Sequence, residues 1–282
     1  MDRALTVDEK LTRLTGILRD LGSVCVGYSG GVDSTFLASF AVEVLGAGNV
    51  LAVTGVSASY PAVQRETARD CARRFGIPHL EISTDELDDP SYAANPSNRC
   101  YFCKTELWTK LAAMAASRGL AAVLDGSNAD DAGDYRPGML AAREHGVRSP
   151  LMEAGLTKAE IREASRRRGL PTWDQPSAPC LASRLPYGLA VTVERLRQVE
   201  AAEDALRAHG FTQFRVRHHG DVARLEVAAD EMPRAIDRAA AVRRELKALG
   251  FAAVVLDIEG YRQGALNEGL PLVQLRRTAV AG

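Results

Sequence analysis

Three sets of residues in this chain have types and spacings that suit chemistry. The first is Ser29-Gly30-Gly31-Val32-Asp33-Ser34. Paired glycines allow a tight turn and a close backbone approach, and the two serines add hydroxyl donors. The run follows an apolar stretch, 24–28, and precedes a helix-like one, 35–45. The N–H groups of a helix start would there face an anion. A carboxylate repels phosphate, so Asp33 makes sense if Mg²⁺ lies between the two. The second set is Cys100-x-x-Cys103 with Cys180. A single CxxC leaves redox, zinc and iron–sulfur chemistry open. Three thiolates can hold three irons of a [4Fe–4S] cluster and leave the fourth iron for a sulfide or a substrate. Zinc held by three cysteines with His145, His218 or water is an alternative, and so are three unconnected thiols. Cys180 also lies near Arg184, whose guanidinium would favour the thiolate, a nucleophile toward an acyl adenylate. The third set is Arg215 and Arg217, alternate residues of an expected strand and so on one face of it. They suit a phosphate, or they are snorkelling arginines of a surface strand.

The elements that must position these groups alternate. Apolar strands are expected at 24–28, 50–56, 79–82 and 120–124, with helices at 62–75 and 104–118 between them. Capping boxes at Thr6-Val7-Asp8-Glu9 and Thr157-Lys158-Ala159-Glu160 open two further helices. This pattern predicts an α/β fold, a parallel sheet with helices on both faces. Ligands bind such sheets at the C-terminal ends of the strands. The glycine loop falls there, and so does the acidic segment 125–131. Ser127 and Asp131 in that segment are candidates for the phosphate and Mg²⁺ site, although Asp, Gly, Ser and Asn also simply form turns. Beyond Pro186 the pattern changes to a helix at 193–209, strands at 214–217 and 223–227, a helix at 232–249 and a strand at 252–258. The expected domains are 1–186, a smaller α+β domain at 187–274, and a tail at 275–282.

The chain has 282 residues, 46% hydrophobic and 25% charged, with a net charge of −1. Such a balance suits a globular protein of one large or two unequal domains. It argues against a long nucleic-acid interface, which is usually basic. No apolar run approaches a membrane span and the N-terminus lacks a signal-peptide core, so a cytoplasmic location without membrane contact is expected. Five cysteines in that setting are not expected to form a disulfide framework.

The stretch 29–34 carries neither a Walker A lysine nor G-x-G-x-x-G. It matches the SGGxDS signature of the PP-loop ATP pyrophosphatases, which cut ATP between the α- and β-phosphates. Together with Asn98-Arg99-Cys100-Tyr101-Phe102-Cys103-Lys104, Pro179-Cys180-Leu181-Ala182-Ser183-Arg184, Arg215-Val216-Arg217-His218-His219-Gly220 and Gly260-Tyr261-Arg262, it resembles the LarE family. Members of that family are ATP-dependent sulfur transferases of nickel-pincer nucleotide synthesis. The resemblance implies ATP and Mg²⁺ on Ser29, Gly30, Gly31, Asp33, Ser34, Ser127 and Asp131. It implies adenylation of pyridinium-3,5-biscarboxylic acid mononucleotide and replacement of AMP by sulfur. Three cysteines, Cys100, Cys103 and Cys180, resemble the branch in which a [4Fe–4S] cluster carries the donor sulfide, rather than the branch that sacrifices the sulfur of one cysteine. Arg215 and Arg217 would hold the substrate phosphate and Arg184 the released pyrophosphate. A homo-oligomer joined through the C-terminal domain is a further expectation, as is an external sulfide or sulfur donor. Alternatives are another PP-loop adenylating enzyme, such as a tRNA thiolase or an ammonia-using synthetase, and a non-catalytic nucleotide or Fe–S sensor.

Overall fold

The computed structural model of the chain describes residues 5–133 and 137–262. These residues divide into two compact units, one drawn from residues 5–86, 100–133 and 137–178, the other from 87–99 and 179–262. Residues 179–186, expected with the first domain, group with the second unit, and so does the excursion 87–99. The expected tail, 275–282, lies outside the described residues.

The first unit holds α1 (Val7–Leu21), β1 (Val24–Gly27), α2 (Val32–Leu45), β2 (Val50–Val56), α3 (Ala62–Arg74) and β3 (His79–Ser83). A single turn, α4 (Pro90–Ala93), lies in the second unit. The chain then continues through α5 (Arg99–Ser117), β4 (Ala122–Leu124), α6 (Pro137–Glu144), α7 (Pro150–Glu153) and α8 (Lys158–Arg167). The four strands are parallel in the order β3-β2-β1-β4, with Val24 opposite Val50 on one side and Ala122 on the other. Successive side chains of a strand point to opposite faces. Val24, Val26, Val50 and Ala52 pack with Leu14 and Leu18 of α1 and Phe36 and Leu37 of α2. Cys25, Leu51 and Val53 pack with Trp108 and Leu111 of α5. A sheet covered on both faces is what apolar, non-alternating strands require. Both capping boxes form, at Thr6 with Glu9 and at Thr157 with Glu160.

The second unit continues with α9 (Val193–Ala208), β5 (Phe214–His219), β6 (Val222–Val227), α10 (Met232–Asp237), α11 (Ala239–Ala248) and β7 (Ala253–Leu256). β5 and β6 form a hairpin, and β7 adds to β6 in parallel. Val216, Leu225 and Val227 of its sheet pack on Leu206, Leu246 and Phe251.

Three boundaries differ from expectation in ways that matter to function. α2 starts at Val32, three residues early, because Gly31 adopts the extended conformation of an N-cap. Asp33 thus sits in the first helical turn, where an acid suits the dipole. α5 starts at Arg99 rather than Lys104, its first N–H donating to the Pro96 carbonyl. Cys100 and Cys103 are therefore helical, three residues apart and on one face. The helix expected at 232–249 breaks at Arg238 into α10 and α11.

Candidate active site

The site grows from the turn between β1 and α2. The Ser29 N–H donates to Ser34 Oγ (3.2 Å), the two serine hydroxyls lie 3.1 Å apart, and Ser34 Oγ donates to the Gly31 carbonyl (3.3 Å). These bonds stitch the loop to its own helix. The N–H groups of Val32, Asp33 and Ser34 open α2 and have no acceptor within it. Such unpaired N–H groups at a helix start are the kind of donor an anion takes. Gly30 has φ +65°, and a Cβ there would fall 2.6 Å from Ala68 Cβ of α3. Both the backbone region and the close approach demand glycine.

The acidic segment after β4 does approach this loop, through its glycine. A Cβ on Gly126 would lie 3.1 Å from Ser34 N and 3.3 Å from Asp33 Cβ. Its absence keeps that N–H open to a ligand. Ser127 and Asp131 are occupied differently from what the sequence suggested. Ser127 donates its N–H and its hydroxyl to the two oxygens of Asp125 (3.0 and 2.9 Å), while Asp131 Oδ2 accepts from Asn128 N–H (3.0 Å). These are turn-forming bonds. Asp130 accepts from the Lys158 N–H (2.8 Å) and so fixes the start of α8 to the same segment.

Lys158 is the site residue that sequence reasoning missed. Its ammonium pairs with Asp33 Oδ2 across 125 residues of chain. The capping box located the helix start, but nothing in the local pattern says that the side chain of its first residue reaches the glycine loop. Asp33 Oδ1 is buried and has no hydrogen-bond partner. A carboxylate oxygen left over beside a phosphate loop fits a hard cation such as Mg²⁺.

Farther along the strand ends, Glu86 accepts from Ser57 Oγ (2.5 Å) and Ser59 Oγ (2.9 Å). On α5, the Lys104 ammonium lies 5.0 Å from the centre of the Trp108 ring, and the ring itself would touch any side chain at Gly27. Cys100 is exposed and Cys103 half-buried on the same helix, and the five cysteines, all among the described residues, form no disulfide. Among the described residues no group of three or more His, Cys, Asp or Glu side chains is gathered to hold a metal ion. His218, considered as a zinc ligand, instead bonds Gln198 Oε1 (2.8 Å), and burial lowers its proton affinity.

In the second unit Cys180 is the N-cap of a short 3₁₀ turn, 181–184. Arg184 is buried. It makes two hydrogen bonds to Glu203 (2.9 and 3.0 Å) and donates to the carbonyls of Pro179 (2.6 Å) and Cys180 (3.0 Å). It holds the backbone of the cysteine loop. Its guanidinium is already committed, which runs against the expected grip on pyrophosphate. Arg217 makes the same kind of pair with the fully buried Glu226 (2.9 and 3.0 Å) and donates to the Ser183 carbonyl (2.8 Å). Arg215 stands on the same face of β5, stacked 5.0 Å from the centre of the Tyr261 ring. Tyr261 is placed by its own N–H, which donates to the Val227 carbonyl (2.8 Å). Burial, with Arg184 and Arg217 nearby, lowers the proton affinity of Arg215.

A parallel sheet with this loop at a strand end defines an ATP-using enzyme of the PP-loop class, and the NAD synthase family matches residues 14–102. The chain is 37% identical over 270 residues to the pyridinium-3,5-bisthiocarboxylic acid mononucleotide synthase of Lactiplantibacillus plantarum, covering 96% of this chain and 98% of that protein. The chain belongs to that family, the LarE family. It is also 43% identical over 266 residues to an uncharacterized protein of Synechocystis sp., covering 94% and 99% of the two chains. An uncharacterized protein of Methanocaldococcus jannaschii is 25% identical over 257 residues, 90% of this chain and 98% of its own length.

Proposed function

We propose that the protein converts the carboxylates of pyridinium-3,5-biscarboxylic acid mononucleotide to thiocarboxylates through acyl adenylates. The observation that carries this reading is the near full-length similarity to a synthase of the bisthiocarboxylic product, joined to a phosphate loop with an uncommitted Asp33 oxygen. In each round a substrate carboxylate oxygen attacks the α-phosphorus of ATP, and pyrophosphate leaves with the electrons of the α–β bridge. The backbone N–H groups of Gly30 and of residues 32–34 hold the phosphates, and Lys158 turns from Asp33 to the charge that develops on them. Asp33 would hold Mg²⁺, which neutralises the phosphate oxygens when bound. A sulfur nucleophile then attacks the acyl carbon, AMP leaves, and a thiocarboxylate remains. Two rounds give the bisthiocarboxylate.

The sulfur source belongs to Cys100, Cys103 and Cys180. Two thiols on one face of a helix suit ligands of a single [4Fe–4S] cluster, and the family resemblance supports Cys180 as the third. Bound there, the cluster would supply sulfide from its open iron. Arg184 holds the Cys180 backbone in place, and Arg215 is the residue we assign to the substrate phosphate.

The test is pyrophosphate release by anaerobically purified protein, with iron and sulfide counted beforehand. Release with the pyridinium dicarboxylate and about four irons per chain is the expected result. Release with tRNA alone would overturn the substrate. An iron-free protein that turns over once and is left with dehydroalanine at position 180 would overturn the cluster.

A further inference from the structure

The phosphate loop is anchored from behind by a relay of side-chain amides that the reaction does not consume. The Ser29 carbonyl accepts two hydrogen bonds, from Tyr60 Oη and from Gln64 Nε2, each 3.0 Å. A trans peptide is planar, so this carbonyl and the Gly30 N–H point in opposite directions. Holding the oxygen against Tyr60 and Gln64 turns the Gly30 N–H the other way, toward the loop's anion face. A donor fixed in advance needs no reorganisation when its anion arrives.

Gln64 is buried, and both ends of its amide are used. Nε2 goes to Ser29, and Oε1 accepts from Gln175 Nε2 at 3.1 Å, 111 residues along the chain. The second bond decides which way round the amide sits, because a reversed amide would set N–H against N–H at Gln175 and oxygen against oxygen at Ser29. Gln175 is held in turn. Its N–H donates to the Thr172 carbonyl (3.1 Å), and its own carbonyl accepts from Arg162 Nη2 (2.9 Å). Arg162 Nη1 also takes the Trp173 carbonyl (2.7 Å). Lys158 and Arg162 are one turn apart on α8, so one helix presents both the ammonium at Asp33 and the clamp on the 172–175 strap. Cys180 follows Gln175 by five residues of sequence.

We propose that Gln64 and Gln175 are positioning residues of the phosphate loop. They set the Gly30 N–H for the phosphates, and they link the occupancy of the loop to the order of the strap that leads to Cys180. The proposal rests on the reading of residues 29–34 as a nucleotide-phosphate site. Linkage makes it two-sided: if the strap strengthens phosphate binding, phosphate must steady the strap by the same factor.

The experiment measures Mg²⁺-pyrophosphate affinity of the full chain by calorimetry, with thermal unfolding alongside, for Gln64→Leu, Gln175→Leu and the double variant. Amide exchange over 172–178 is followed with and without pyrophosphate. Gln64→Leu is expected to weaken binding about tenfold and Gln175→Leu about threefold. The double variant should be no weaker than Gln64→Leu alone, since the two act as one relay. Pyrophosphate should slow exchange in the strap of the wild type and leave it unchanged in Gln175→Leu. Gln175 lies in a partly exposed segment, so that variant keeps the test usable if Gln64→Leu unfolds. Wild-type affinity in Gln175→Leu, or losses that simply add, would overturn the relay and show the amides to be packing alone. A wild type that binds neither pyrophosphate nor ATP would instead overturn the phosphate reading itself.

Discussion

The glycine loop of the first unit and the arginine strand of the second both gather groups suited to an anion, and they treat those groups in opposite ways. In the loop, the Ser29 carbonyl, which a phosphate would repel, goes to Tyr60 and Gln64, while the Ser29 N–H and Ser34 Oγ close bonds inside the loop. The N–H groups of residues 32–34, which have no acceptor within α2, are left for a ligand. On β5 and the turn before it, the cations themselves are committed, Arg184 to Glu203 and Arg217 to Glu226, with little or no solvent access. A basic motif read from sequence can thus be scaffolding, because a guanidinium paired with a buried carboxylate already has its charge balanced. The loop needs no such partner, since its donors are neutral peptide groups.

That contrast breaks first at Glu203. Glu203→Ala leaves Arg184 in the interior with neutral oxygens, two carbonyls and the Ser183 hydroxyl, and removing one partner of a buried ion pair costs about 3–5 kcal/mol. Urea unfolding should show that loss. A change under about 0.5 kcal/mol, typical of a surface substitution, would mean that Arg184 is available for ligands after all. Asp33→Asn probes the other side. It keeps the shape of the side chain but removes its charge, at a position with solvent nearby. Mg²⁺-dependent pyrophosphate release should fall about 10²–10³-fold, the usual loss for one preorganised electrostatic group, while the unfolding midpoint stays near wild type. If Asp33→Asn unfolds as readily as Glu203→Ala, the loop is scaffolding too.

The strand itself carries the next test. Arg215 and Arg217 share a face, yet their surroundings differ: Arg215 stacks on Tyr261 and Arg217 pairs with Glu226. Arg215→Ala should raise KM for the mononucleotide about tenfold or more, in line with loss of a hydrogen bond to a charged group. Arg217→Ala should lower stability instead, because it leaves the buried Glu226 with Arg224 as its one remaining guanidinium partner among those described. Equal effects on KM from both variants would restore the pair of phosphate ligands that the sequence suggested.

What could be read from the sequence was what is local. A capping box spans four residues, and both of them form. The glycine loop spans six, and its setting at a strand end follows from apolar runs alone. The start of α5 was missed because residues 98–104 mix polar, aromatic and thiol side chains without an apolar stripe, and the helix is set instead by the chain leaving Pro96. The carboxylate partners of Arg184 and Arg217 are not legible in the sequence for a related reason. Glu203 and Glu226 lie 19 and 9 residues from their partners, on a helix and a neighbouring strand, and only the fold brings them together. Lys158 and Gln175 reach the loop and its anchor across more than a hundred residues. The excursion 87–99 carries no shift in composition that would reveal its grouping with the second unit.

The smallest effect concerns how α3, the helix that backs Gly30, is fastened to the sheet. Glu81 on β3 accepts from Arg65 (2.6 and 3.0 Å) and Arg69 (2.6 and 2.7 Å), both on α3. Those two guanidinium groups hold its carboxyl at about 2, against an ordinary value of 4.5. Both arginines are well exposed, so solvent screens the pair, and Glu81→Gln should cost on the order of 1 kcal/mol near neutral pH. The sign follows from linkage. A depressed carboxyl stabilises the fold wherever the unfolded chain is already ionised, that is above about 4.5, and loses that contribution as pH falls toward 2. The stability difference between wild type and Glu81→Gln should therefore be flat around neutrality, shrink below pH 4.5 and be nearly gone at pH 2. Because α3 also carries Gln64, pyrophosphate affinity should slip by less than in Gln64→Leu. A pH-independent difference would show that Glu81 acts through packing rather than through its charge, and a loss of affinity equal to that of Gln64→Leu would show that the helix as a whole, not one amide, sets the loop.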